Sequence, residues 1–95
     1  MDKKKLSGDE LAAALLMLPE WQVEGQALAR TWKHATFPQA LAFIQKVGVL
    51  AEEQDHHPDI DLRYVKVTVR TWSHDAGGIT QRDVKLARAI DAFEA

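Results

Sequence analysis

Apolar residues recur along this chain with two different periods. Leu11, Ala14, Leu15 and Leu18 fall at helical spacing behind Ser7, a candidate N-cap with Glu10 three residues on as its capping-box partner. Pro19 ends that helix. Trp21 to Val23 and Ala27 to His34 are short runs rich in aromatic and β-branched residues around Glu24-Gly25-Gln26, which predicts a hairpin with glycine at its turn. Thr36 followed by Gln39 is a second capping-box signature. It opens a helix with Phe37, Ala40, Leu41, Ile44, Val47, Gly48 and Ala51 on its apolar face and an end near Gln54. Pro58 biases His57 away from helical backbone, so the His56-His57 pair is placed on a connection. Ile60 and Leu62 alternate with Asp61 and Arg63, and Val65, Val67 and Val69 with Lys66, Thr68 and Arg70. These are two half-buried strands whose turn, near Tyr64, is poorly marked. After a loop at Asp75-Ala76-Gly77-Gly78, Thr80 is a natural N-cap with Asp83 at the third helical position, and Leu86, Ala87, Ile90 and Phe93 form the stripe of a third helix.

The order αββαββα predicts an α+β fold, an antiparallel four-stranded sheet with three helices packed on one face. The spatial order of the strands is left open. With 95 residues there is room for one domain, expected over 1–95 with the Lys-rich residues 1–6 as a flexible tail. Hydrophobic residues at 46% and charged ones at 27% provide for a packed core. An uncovered sheet face or an unpaired edge favours self-association, so a homodimer or homotetramer is expected.

Charge removes several functions from consideration. Twelve Lys and Arg against fourteen Asp and Glu, a formal charge of -2, give no domain-wide basic field for nucleic acid or an anionic membrane. The absence of cysteine excludes disulfides, thiolate metal sites and a cysteine nucleophile, and is compatible with a reducing compartment. No apolar stretch reaches membrane-spanning length and no signal-like segment follows Lys3-Lys4-Lys5, so a soluble cytoplasmic protein is expected.

Chemistry is concentrated in the histidines. His56, His57 and His74 lie on connections or strand ends beside carboxylates, and imidazole exchanges protons readily near neutral pH. For His56 and His57 to serve one pocket the backbone must turn between them, as a helix end before Pro58 permits. The alternative is a pair of solvated loop histidines in the acidic segment Glu52 to Asp61. Asp83 at a helix start also has a plain capping role, and Trp21, Trp32 and Trp72 are as consistent with packing as with a ligand platform. His34 follows strand parity and is left out of the site. A metal site is disfavoured, since neither a His-x₃-His pair nor HExxH occurs.

Glu52-Glu53-Gln54-Asp55-His56-His57-Pro58, then Tyr64, His74 and Asp83, resembles the signature of the pterin-4a-carbinolamine dehydratases. The likeness extends to Trp21, the helix from Phe37, the strand Val67 to Thr71, Gly78-Ile79-Thr80 and Leu86-Ala87, leaving only the Lys-rich start outside it. It implies an antiparallel four-stranded sheet with helices on one side. It also implies dehydration of 4a-hydroxytetrahydropterin, the product of pterin-dependent aromatic amino-acid hydroxylases, to quinonoid dihydropterin. Pterin would be the substrate, with no metal or cofactor and with a hydroxylase as pathway partner. By that resemblance His56, His57 and His74 line the pocket. His56 and His74 then take the acid and base roles, His57 binds and orients substrate, and Asp83 orients a histidine or bonds the substrate. Glu52 supports, Trp21 flanks the ring and Ser73 joins the substrate-binding residues. Trp72-Ser73 stand where the family more usually has smaller residues, which bears on pocket shape.

Two other readings remain. Some animal members of that family act as dimerisation cofactors of a homeodomain transcription factor, which implies an interaction module without direct nucleic-acid contact. A metal-dependent hydrolase ranks last.

Overall fold

The computed structural model describes residues 3–94. Its elements are α1 (Gly8–Leu16), β1 (Gln22–Glu24), β2 (Ala27–Lys33), α2 (Phe37–Gln54), β3 (Asp59–Arg63), β4 (Lys66–Thr71) and α3 (Gln81–Glu94), in the order αββαββα. The sheet is antiparallel throughout with strand order β1-β2-β4-β3, so α2 carries the chain across the sheet from β2 to the far edge at β3.

Local chemistry sets the element ends. Ser7 and Glu10 form a reciprocal capping box, with the Ser7 N–H donating to Glu10 at 2.8 Å and the Glu10 N–H to the Ser7 hydroxyl at 3.2 Å. α1 stops at Leu16, before the predicted end at Leu18, because Pro19 disfavours helical backbone at Leu18. Released from the helix, Leu18 is buried beneath it at 1% exposure. Gly25 supplies the positive φ, 61°, of the two-residue β1–β2 turn. α2 begins at Thr36, whose hydroxyl accepts from the Gln39 N–H, and has Pro38 in its first turn. It ends with Asp55 in the left-handed region, the Asp55 N–H donating to the Glu52 carbonyl and the His56 N–H to the Ala51 carbonyl.

Alternation places Leu28 and Trp32 of β2 beside Val67, Val69 and Thr71 of β4 on the face covered by helices. Trp32 meets Trp21 edge-on and Phe43 obliquely, and Phe43 meets Phe93 of α3 at 5.7 Å. The α2 face differs from the predicted one. Ala40, Phe43, Val47 and Ala51 are buried, whereas Phe37 and Leu41 are exposed. The helix is apolar around more than one side, and the fit of Phe43 between Trp32 and Phe93 selects which side turns inward. The opposite sheet face is polar, with a Thr31–Thr68 hydroxyl pair at 2.8 Å and an Arg70–Glu24 bond at 2.7 Å. Exposed large apolar side chains lie at the end of α1 (Leu16, Met17), on α2 (Phe37, Leu41, Val49), on the edge strands (Val23, Ile60) and at Tyr64.

Within the segment expected as a tail, Leu6 is tied to the fold. Its N–H donates to the Ile79 carbonyl at 2.9 Å and its side chain packs against the core. The Lys5 stem lies close over Gly78, where an added Cβ would come within 2.8 Å of it.

Candidate active site

Asp83 is the centre of the site. It projects from the first turn of α3 and is fully buried, at 0% exposure, a cost that only saturated hydrogen bonding offsets. Oδ1 accepts from the Thr71 hydroxyl at 2.6 Å and pairs with His56 Nε2 at 2.6 Å. Oδ2 accepts from the Ser73 hydroxyl and the Thr80 N–H, both at 2.9 Å. Because Ser73 spends its proton on Asp83, the 2.8 Å contact between Ser73 and Thr80 has Thr80 donating. The Thr80 hydroxyl in turn accepts from the Arg82 N–H. Every proton in this chain points toward the carboxylate, so His56 also donates, through Nε2–H, and its Nδ1 is the nitrogen left for other work.

The helix end described above delivers His56 to this carboxylate. The left-handed Asp55 reverses the chain, and His56 turns inward to 8% exposure. His57 turns outward and bonds Glu52, one turn back on α2. The two histidines are thus directed apart, and Glu52 serves His57 rather than His56. His74 follows Ser73 in the β4–α3 loop, is exposed, and stacks on Trp72 with ring centroids 3.8 Å apart. The loop is held by a bridge between Ser73 and Gly78. Trp21 lies elsewhere: it is core, and its indole N–H donates to Asp91 near the other end of α3 at 2.9 Å. The structure therefore joins His56, Asp83 and Ser73 directly, adds His74 through its neighbour Ser73, and leaves His57 with Glu52 on the surface and Trp21 in the core.

Two clefts flank these groups. One of about 160 Å³ is lined by Lys3, Gln54, His56, Arg82 and Lys85. The other, about 220 Å³, lies on the open sheet face between Glu24, Gln26, Ala27, Asp59, Arg70 and Trp72. At the loop rim Arg82 bonds Asp75 at 2.6 Å, and this guanidinium holds the Asp75 carboxyl below the ordinary aspartate range while Asp75 raises Arg82. Among the described residues, no group of three or more His, Asp or Glu side chains is arranged to hold a metal ion.

The sequence-based reading missed Thr71, Thr80 and Arg82 as parts of this network. Thr71 did leave a signal: it continues the buried parity of Val67 and Val69, and a hydroxyl within an apolar stripe needs a buried partner.

Comparison with known proteins now gives the network a context. The sequence profile described as pterin 4 alpha carbinolamine dehydratase matches residues 4–93. The chain belongs to this family. A Chloroflexus aurantiacus protein named "Putative pterin-4-alpha-carbinolamine dehydratase" is 47% identical over 87 residues, covering 92% of this chain and 94% of that one. A Nocardia farcinica protein of the same name is 44% identical over 91 residues, covering 96% of each. A crystal structure from Brucella melitensis, described as a transcriptional coactivator/pterin dehydratase, superposes with a TM-score of 0.91 at 34% identity, covering 97% of this chain and all of that one. Like the dehydratase-family fold it matches, this chain is an α+β protein, and no helix among its described residues is long and apolar enough to cross a membrane.

Proposed function

We propose that the chain dehydrates 4a-hydroxytetrahydropterin to quinonoid dihydropterin and water. In this reaction the C4a–O bond breaks as N5 loses its proton and a C4a=N5 double bond forms, while the departing hydroxyl takes up a proton. One group must donate that proton and another must accept the ring proton. The observation that carries the reading is the His56–Asp83 pair, which fixes one imidazole by a buried carboxylate whose remaining acceptor sites are occupied. Nδ1 of His56 can then take the ring proton, with Asp83 offsetting the positive charge. His74, on a loop tied to the same carboxylate through Ser73, is suited to protonate the leaving hydroxyl. His57, braced by Glu52, is suited to orient substrate at the rim. The proposal includes no cofactor, and the pterin is the substrate.

The test is the decay of freshly generated 4a-hydroxytetrahydropterin with chelator-treated protein, wild type against His56→Ala and His74→Ala. Each variant should lose about 10²–10⁴-fold in rate while retaining its circular dichroism. No acceleration by folded wild type would sink the reading.

A second reading, a protein-binding module, is favoured by the exposed Phe37, Leu41 and Val49 of α2, an apolar surface suited to a helical partner or a further copy of the chain. The coactivator description of the Brucella protein is in keeping with it. The two readings use different surfaces and are not exclusive.

A further inference from the structure

The cleft beside His56 is strongly basic in a chain whose net charge is -2. Lys3, Arg82 and Lys85 line it together with Gln54 and His56. Lys85 also borders a second depression along α3, of about 480 Å³, lined by Gln81, Val84, Lys85, Arg88 and Ala89. Arg82, Lys85 and Arg88 recur every third residue and so share one side of the helix. Two carboxylates of α3 face elsewhere: Asp83 is buried against His56, and Asp91 bonds Trp21 and Arg30. Asp75, bonded to Arg82, offsets one cation at the rim, while Lys85 and Arg88 have no ion pair among the described residues.

A row of basic side chains on an exposed helix is often merely solvated. This one lines a concavity that starts at a buried histidine, and concave walls focus the potential of like charges on whatever enters. We propose that the ligand of the His56 site carries an anionic group, a phosphate ester or a carboxylate, on its side chain, and that Lys3, Lys85 and Arg88 bind this group along α3. The identity of the heterocycle rests on the dehydratase reading; the charge of the tail does not. A ligand with an uncharged tail would leave the groove without an occupant. A polynucleotide is disfavoured by the acidic residues Glu52, Glu53, Asp55, Asp59 and Asp61 that follow the chain on the other side of His56.

The experiment compares 4a-hydroxytetrahydropterins whose C6 side chain is a neutral hydroxyalkyl, its phosphate monoester, or a chain ending in a carboxylate. At low salt kcat/KM for at least one anionic substrate should exceed that of the neutral one by about tenfold, the scale of one or two charge-assisted hydrogen bonds. The ratio should shrink at high salt. Lys85→Ala combined with Arg88→Ala should reduce it several-fold through KM, whereas Lys33→Ala combined with Lys66→Ala, the same charge change on the paired strands β2 and β4, should not. Equal kcat/KM for all three substrates, or a preference untouched by the α3 substitutions, overturns the proposal. If none is turned over, affinities for the corresponding oxidised pterins give the same ratio, so the dehydratase reading can fail while the anionic tail stands, or the reverse.

Discussion

Asp83 Oδ1 and His56 Nε2 lie 2.6 Å apart, on a carboxylate that also receives two hydroxyls and a backbone N–H. Replacing this acceptor by an amide confronts donors with a donor. Asp83→Asn should therefore lower stability on the order of 3 kcal/mol, the loss of one or two buried hydrogen bonds to a charged group. Turnover at a temperature where the variant remains folded should fall about 10²-fold or more. Urea denaturation gives the first quantity and single-turnover kinetics the second. ¹⁵N NMR should show neutral His56 protonated at Nε2 in the wild type and a mixed tautomer in the variant.

Thr71 separates positioning from packing. Thr71→Val keeps the shape of a fully buried side chain but removes one of the donors to Asp83 Oδ1, leaving His56 alone there. The carboxylate gains freedom to tilt, and His56 moves with it. We expect a roughly tenfold fall in kcat, equivalent to about 1.4 kcal/mol of lost orientation, with KM little changed. Thr71→Ser, which restores the hydroxyl, should recover most of the loss.

Much of this geometry was legible in the residues because local signals and tertiary demands agree. The Ser7 capping box, the Gly25 turn and the alternation of Val67 and Val69 each appear as read, while Thr36 caps α2 through the hydroxyl half of its expected box. The His56–Asp83 pair was partly legible: the residues were picked out, but their bond depends on the reversal at Asp55, a left-handed residue that is not glycine. The same reversal sends His57 away, which spacing alone does not reveal. Trp21 was misjudged as a ring flanking the ligand because an aromatic near a strand start fits core and pocket equally, and the choice was made by Asp91, seventy residues on.

Trp72 stacks on His74 and stands at the edge of the open-face cleft. Trp72→Ser removes the plane against which the His74 ring rests. Stability should change by about 1 kcal/mol, the scale of an aromatic pair at a half-buried position, and turnover should drop roughly fivefold. If the stack only fills space, the same variant will match wild-type kcat.

The Asp75–Arg82 bond makes a signed pH prediction. Arg82 depresses the folded-state Asp75 pKa below its ordinary 3.8, so the pair contributes stability above that value and loses it as pH falls through the depressed pKa. Asp75 is exposed, and the effect on stability is correspondingly small. NMR titration should place the Asp75 midpoint below 3.8 in the wild type and return it upward in Arg82→Gln.

The side of α2 that faces inward is the clearest divergence between pattern and fold, and paired substitutions measure it. Phe43 is 3% exposed and touches Trp32, His34 and Phe93, whereas Leu41, two residues earlier on the same apolar helix, is 46% exposed. Phe43→Ala opens a cavity among three rings and should cost about 3–5 kcal/mol. Leu41→Ala removes a side chain already largely in water and should change monomer stability by no more than about 0.5 kcal/mol. Urea denaturation at several protein concentrations distinguishes the outcomes. If Leu41→Ala is costly only at high concentration, Leu41 is buried by association; if it is costly at every concentration, the inward face of α2 is assigned wrongly.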